Sequence, residues 1–253
     1  MLQFRQNLYT EEHNFSHEGQ NAAANNGEPS AAGIGTVELR LSSVVVQDNN
    51  TPAIFPYPGY AKLYLLCIVA TSAAAGGYQL HLRSFDQVAD GDALNMDKTI
   101  YYWKKDQPTE VAPVQIHVFT SLIKSKQPLR DVAAVLSELY RDASYKLLTA
   151  TLDKLIKGAT PIPDISNLLF NIAGIAGKYL EKVDDRPLLT WYQSFTGVAA
   201  SGTVLGKTEK MAANCYVTIN LSMVVRNDLP AAEEPRKEKP QAGSVPLLFP
   251  YQQ

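Results

Sequence analysis

Four carboxylates, Asp86, Asp90, Asp92 and Asp97, fall within one short polar stretch of the chain. Hard cations such as calcium favour several carboxylate oxygens gathered on a flexible loop, so these four are the candidate metal ligands. Turn chemistry, in which Asp90-Gly91-Asp92 bond their own backbone, is the stronger expectation for this stretch. His13 and His17, beside Glu11, Glu12 and Glu18, have a spacing that would suit zinc on a helix. Their Asn-, Ser- and Gly-containing surroundings favour an arm over a helix, and no metal or other cofactor is expected.

The remaining reactive side chains are read as structural. His81 and His117 fall on the polar sides of two strand patterns, as surface or cross-strand residues. Cys67 and Cys215 lie in apolar strand patterns, as buried free thiols. Neither a Gly-x-Ser-x-Gly elbow nor a His-Glu-x-x-His motif is present, and Gly33-Ile34-Gly35 precedes a strand, the wrong order for a dinucleotide fingerprint. The chain is therefore expected not to be an enzyme; the enzymatic alternative is a hydrolase with a dispersed site.

The two ends offer a different chemistry. Val245, Leu247, Leu248, Phe249 and Tyr251 follow a linker rich in Pro, Glu, Lys and Ala at 230–241. Apolar surface on such a tail is seldom left in water, and Pro246 and Pro250 pre-extend it for docking. Near the other end Leu2 and Phe4 stand in a polar segment. These seven residues are the candidate partner-binding set, and the partners expected are other protein subunits, homo- or hetero-oligomeric.

Composition narrows the partners further. Charged residues are 19% of the 253, and the net charge of -2 arises from 23 basic and 25 acidic side chains without a long block of one sign, which gives nucleic acid little electrostatic hold. No apolar run is long enough to span a bilayer, and a membrane partner is not expected. The first seven residues lack a basic region followed by an apolar one, so synthesis in the cytoplasm without a signal peptide is expected.

Positioning these residues falls to a chain of strands with one helical block. Residues 1–35 are polar and small and read as an N-terminal arm. Residues 36–127 form the first part of a β-sandwich: Val37, Leu39 and Leu41 alternate with Glu38, Arg40 and Ser42, residues 62–70 are almost continuously apolar, and Tyr78, Leu80 and Leu82 pattern a hairpin partner. Strand patterns follow at 99–103 and 111–125.

Residues 128–183 read as a two-helix hairpin, one long amphipathic helix starting at Pro128 and ending at Gly158, the second carrying Ile165, Leu168, Leu169, Ile172, Ile175, Ala176, Tyr179 and Leu180. The small residues Ala173, Gly174, Ala176 and Gly177 would let the helices approach closely. Residues 184–227 complete the sandwich, with strands at 188–195, a weaker one at 198–205, and Cys215, Val217, Ile219, Leu221, Met223 and Val225 at every second position. Residues 228–253 are the C-terminal linker and apolar anchor.

The predicted fold is mainly β, an antiparallel β-sandwich with a helical-hairpin insertion and extended arms. By architecture alone it is analogous to C2-type membrane-binding domains, whose calcium site lies at a loop end, where Asp184 and Asp185 would join the acidic stretch. The predicted function is a structural or adaptor subunit of a larger assembly, such as a phage particle or contractile injection machine; the alternative is a calcium-dependent lipid- or glycan-binding module.

Overall fold

The computed structural model of the chain describes residues 33–54, 59–73, 77–96, 98–157, 162–180, 186–198 and 205–227, and the backbone of 9–15. Among the described residues ten strands run in chain order: β1 (Tyr9–Phe15), β2 (Ile34–Val46), β3 (Ala61–Thr71), β4 (Tyr78–Val88), β5 (Ala93–Leu94), β6 (Lys98–Lys104), β7 (Gln115–Ser125), β8 (Arg186–Thr196), β9 (Gly206–Ala213) and β10 (Val217–Asn227). Between β7 and β8 lie the helices α1 (Val132–Arg141), α2 (Ala143–Lys157) and α3 (Ile162–Leu180). No described helix is long and apolar enough to cross a membrane.

The strands make two antiparallel sheets. One has the order β1-β9-β10-β2-β5, with β6 also paired to β2; the other is β4-β3-β7-β8. Alternation explains how they stack. On β2 and β10, Val37, Leu39, Leu41, Val217, Ile219, Leu221, Met223 and Val225 join a core shared with Leu63, Leu65, Cys67 and Val69 of β3, Ile116, Val118 and Leu122 of β7, and Trp191 of β8. The opposite face of β3, with Tyr64, Leu66, Ile68 and Ala70, joins Phe119 and Ile123 and the apolar faces of the helices in a second core. Layers therefore run sheet, sheet, helices.

The helical insertion is expected as two helices and is found as three, because Asp142 breaks the first. Its backbone turns extended (φ −61°, ψ 128°), its Oδ1 accepts the Tyr145 N–H at 2.9 Å as a cap for α2, and its Oδ2 accepts the Tyr179 hydroxyl of α3 at 2.7 Å. The break shifts the helical phase. Tyr145 becomes buried, while Leu147, which a continuous helix would turn inward, is left 69% exposed. Pro128 also lies outside the helix: α1 begins after Asp131, whose carboxylate accepts the N–H groups of Ala133 and Ala134.

Several strand expectations are corrected too. A strand does not begin at Val111, since Val111 and Val114 are exposed and β7 starts at Gln115. Cys215 sits in the turn before β10 and is exposed, whereas Cys67 is buried. Of the weak strand expected at 198–205, residues 199–204 lie outside the described residues; β9 follows at Gly206, its polar residues hiding it from an apolar pattern, and part of the supposed N-terminal arm is β1, paired to β9.

Gly174 is expected at a close helix contact, but a Cβ built there meets nothing within 4 Å. Gly174→Ala should therefore raise stability by about 0.5–1 kcal/mol through reduced backbone entropy of the unfolded chain, read as a higher denaturation midpoint in urea.

Candidate functional site

The acidic stretch is organised around a buried amide. Asn49, between β2 and β3, is fully buried. Its Nδ2 donates to the carbonyls of Gly59 and Val88, its Oδ1 accepts the Thr51 N–H at 2.8 Å, and its own N–H donates to Asp90 Oδ1 at 2.7 Å. One side chain thus ties three segments together. Gly59 must be glycine for this approach, since a Cβ there would collide with the Thr51 carbonyl oxygen.

The other aspartates also bond the backbone. Asp92 Oδ2 accepts the Ala89 N–H at 2.7 Å, closing a turn whose Gly91 takes φ +83°. That turn is pinned to β2 by Gly91 N–H to Val46 O, 2.7 Å, and Val46 N–H to Asp92 O, 2.9 Å. Asp86 lies on β4, exposed, and accepts the Gln87 N–H at 3.1 Å. Asp97, Asp184 and Asp185 lie outside the described residues. Among the described residues no three His, Cys, Asp or Glu side chains are placed to hold one ion.

His117 faces the helical layer and is fully buried. Its Nε2–H donates to Gln115 Oε1 at 3.1 Å, so Nδ1 accepts the Tyr192 hydroxyl at 2.8 Å, and the two rings stack with centroids 6.2 Å apart. Burial pushes its pKa down to about 4. His81, on the other face of its sheet, donates Nε2–H to Ile100 O at 2.7 Å, and burial lowers its pKa as well. It lines a cavity of about 10 Å³, with Leu41, Leu65, Cys67, Arg83 and Lys98 among its walls, room for roughly one water. Cys67, one of its walls, accepts a weak hydrogen bond from Thr120, and desolvation raises the thiol to about 12, which leaves it protonated and a poor nucleophile.

Of the remaining predicted residues, His13 lies on β1 and not on a helix, which removes the geometry that its pairing with His17 required. His17 lies outside the described residues, as do Leu2, Phe4, Val245, Leu247, Leu248, Phe249 and Tyr251.

Two features were missed in the sequence. Glu38, on the outer face of β2, accepts Thr99 at 2.9 Å and the Arg40 guanidinium at 3.0 and 3.2 Å, with Arg226 at 3.5 Å. The Thr99 hydrogen bond and the Arg40 guanidinium hold its carboxyl below the usual carboxylate range. Its only sequence signal was Glu38-x-Arg40 on one strand face. The second feature is the pairing of β1 with β9, which places Glu12 opposite Lys210 and His13 opposite Glu209. No local pattern encodes it.

No family model, curated protein or solved structure matches this chain.

The aspartate turn and the buried histidine each give a measurable expectation. Asp90→Ala removes the acceptor for the Asn49 N–H and should lower stability by about 1–2 kcal/mol, while calcium should leave the melting temperature of the native chain unchanged. A calcium-dependent rise lost in Asp90→Ala would show a cation site instead. Between pH 6.5 and about 4 the unfolded chain protonates His117 while the folded chain excludes the proton, so stability should fall as pH drops through that window, by on the order of 3 kcal/mol. Urea titrations should show a shallower fall for His117→Gln.

Proposed function

We propose that the protein is a non-enzymatic structural or adaptor subunit of a larger protein assembly, of the kind found in phage particles and contractile injection machines. The observation carrying this reading is the N-terminal strand β1, added edge-on to β9 and connected to β2 by a segment of residues 16–33. Strand addition joins chains through backbone hydrogen bonds, with specificity from the facing side chains. The reading is also supported by the reactive groups: His117, Cys67, Asp90 and Asp92 are each occupied by the fold's own hydrogen bonds. At the other end, the apolar residues beyond 241 supply a second attachment in sequence. Two attachments on one chain raise effective concentration at each neighbour, which suits a subunit that holds others in place.

Light scattering coupled to size-exclusion chromatography tests this on the full chain and on a chain ending at residue 228. The full chain should associate, and the shortened one, which keeps β1 but lacks the second attachment, should associate more weakly while keeping its melting temperature, because β10 ends at Asn227. A full chain that stays monomeric with and without candidate partner subunits would overturn the proposal.

A further inference from the structure

We infer that β1 is an exchangeable strand: in the assembled state β1 of one copy pairs with β9 of a second copy, in the register that places Glu12 opposite Lys210. This rests on the assembly reading above and names its partner, another copy of the same chain.

The first support is the length of the connection. Phe15 ends β1 beside Lys207, which pairs with Val224, and Ile34 begins β2 beside Asn227, so both lie at one end of the sheet. Three strand spacings and about three residues of rise separate them, roughly 15–20 Å. The connecting residues 16–33 can extend to about 60 Å. The reach far exceeds what pairing within one chain needs, and it covers the same edge on a neighbour.

The second support is how β9 is built. Ala212 is its one buried residue, so β1 docks beside a strand that adds little to the core and can leave without opening it. The inward-facing position is instead Lys210, whose ammonium lies 5.0 Å from the centroid of the Phe195 ring. A charge pointing inward near an edge discourages pairing with foreign strands. The same charge favours a strand that carries a carboxylate at the facing position, as β1 does with Glu12, and the next position pairs His13 with Glu209. Exchange between copies recreates these pairings, so it costs no contact energy and is governed by local concentration.

The test joins Glu12 to Lys210 in the unmodified protein. Chains of natural isotopic abundance are mixed with ¹⁵N-labelled chains, the associated fraction is isolated, and a carbodiimide condenses neighbouring carboxylates and amines with loss of water. Mass spectrometry of the digest should find Glu12–Lys210 cross-links that combine one light and one heavy peptide. If the associated fraction carries this cross-link only within one isotope, β1 stays on its own chain, and exchange is overturned while the assembly reading stands. If no associated fraction forms, both fall. A second arm uses Glu12→Lys and Lys210→Glu chains. Each alone should associate more weakly through like charges at the facing positions, and the mixture should regain the full strength, since only between copies does the introduced lysine meet the introduced glutamate. Equal association of each variant alone and of the mixture would also overturn the exchange.

Discussion

β3 and β7 form a ladder that is apolar on both faces. Leu63, Leu65, Cys67 and Val69 of β3 point into one core, and Tyr64, Leu66, Ile68 and Ala70 into the other, while β7 divides Ile116, Val118 and Leu122 from Phe119 and Ile123. Each such leucine, isoleucine or phenylalanine is worth about 1.5–3 kcal/mol when removed from water, so neither face can be left open. A single partner sheet covers one face only. The chain resolves this by leaving the sheet after Ser125, laying three helices across the second face, and returning at Arg186 beside the strand it left.

Covering that face requires the helices to be held in angle as well as pressed down, and polar contacts do this. Arg130 stands where the chain leaves the sheet. Its N–H donates to the Tyr64 hydroxyl of β3, its Nη1 to the Tyr179 carbonyl of α3, and its Nη2 to both oxygens of Glu138 on α1 at 2.9 Å. Asp142 ends α1, caps α2 and accepts from Tyr179 of α3. The break that spoils a continuous amphipathic helix is thus the point that fixes three helices on one another. Hydrophobic burial is non-directional, and the side-chain hydrogen bonds give it a direction.

What could be read from the sequence follows the same division. β3 was legible because a strand apolar on both faces leaves a continuous run, and β10 because one buried face leaves a period of two. The inward residues of α3 were legible for the corresponding reason at helical period. The break at Asp142 was not, since an aspartate on an exposed helix face and one capping a new helix are the same letter. β9 carries Lys207, Thr208, Glu209 and Lys210 in succession, and it is a strand because β10 pairs with it, a non-local cause. β1 depends in turn on β9. Of the candidate site, the turn chemistry of Asp90 and Asp92 could be anticipated from Asp-Gly-Asp, whereas the buried Asn49 that organises it lies 41 residues from Asp90 and leaves no local trace.

Edges pose a separate constraint, because an unpaired strand edge exposes donors and acceptors to any other chain. The fold treats its edges unequally. At β8, Pro187 removes a donor near the start of the strand, and Asn214 donates to the Leu188 carbonyl at 2.7 Å from the neighbouring sheet. At β9 the protection is a whole strand from a distant part of the chain, tied to the rest by a long connection. Side chains such as Asn214 protect an edge permanently, since they have nowhere else to go. A tethered strand protects it conditionally, for as long as no identical strand competes at higher local concentration. On the proposed reading, a subunit that stays folded alone and yet joins its neighbours would combine conditional protection at β9 with the permanent kind that Pro187 and Asn214 give β8.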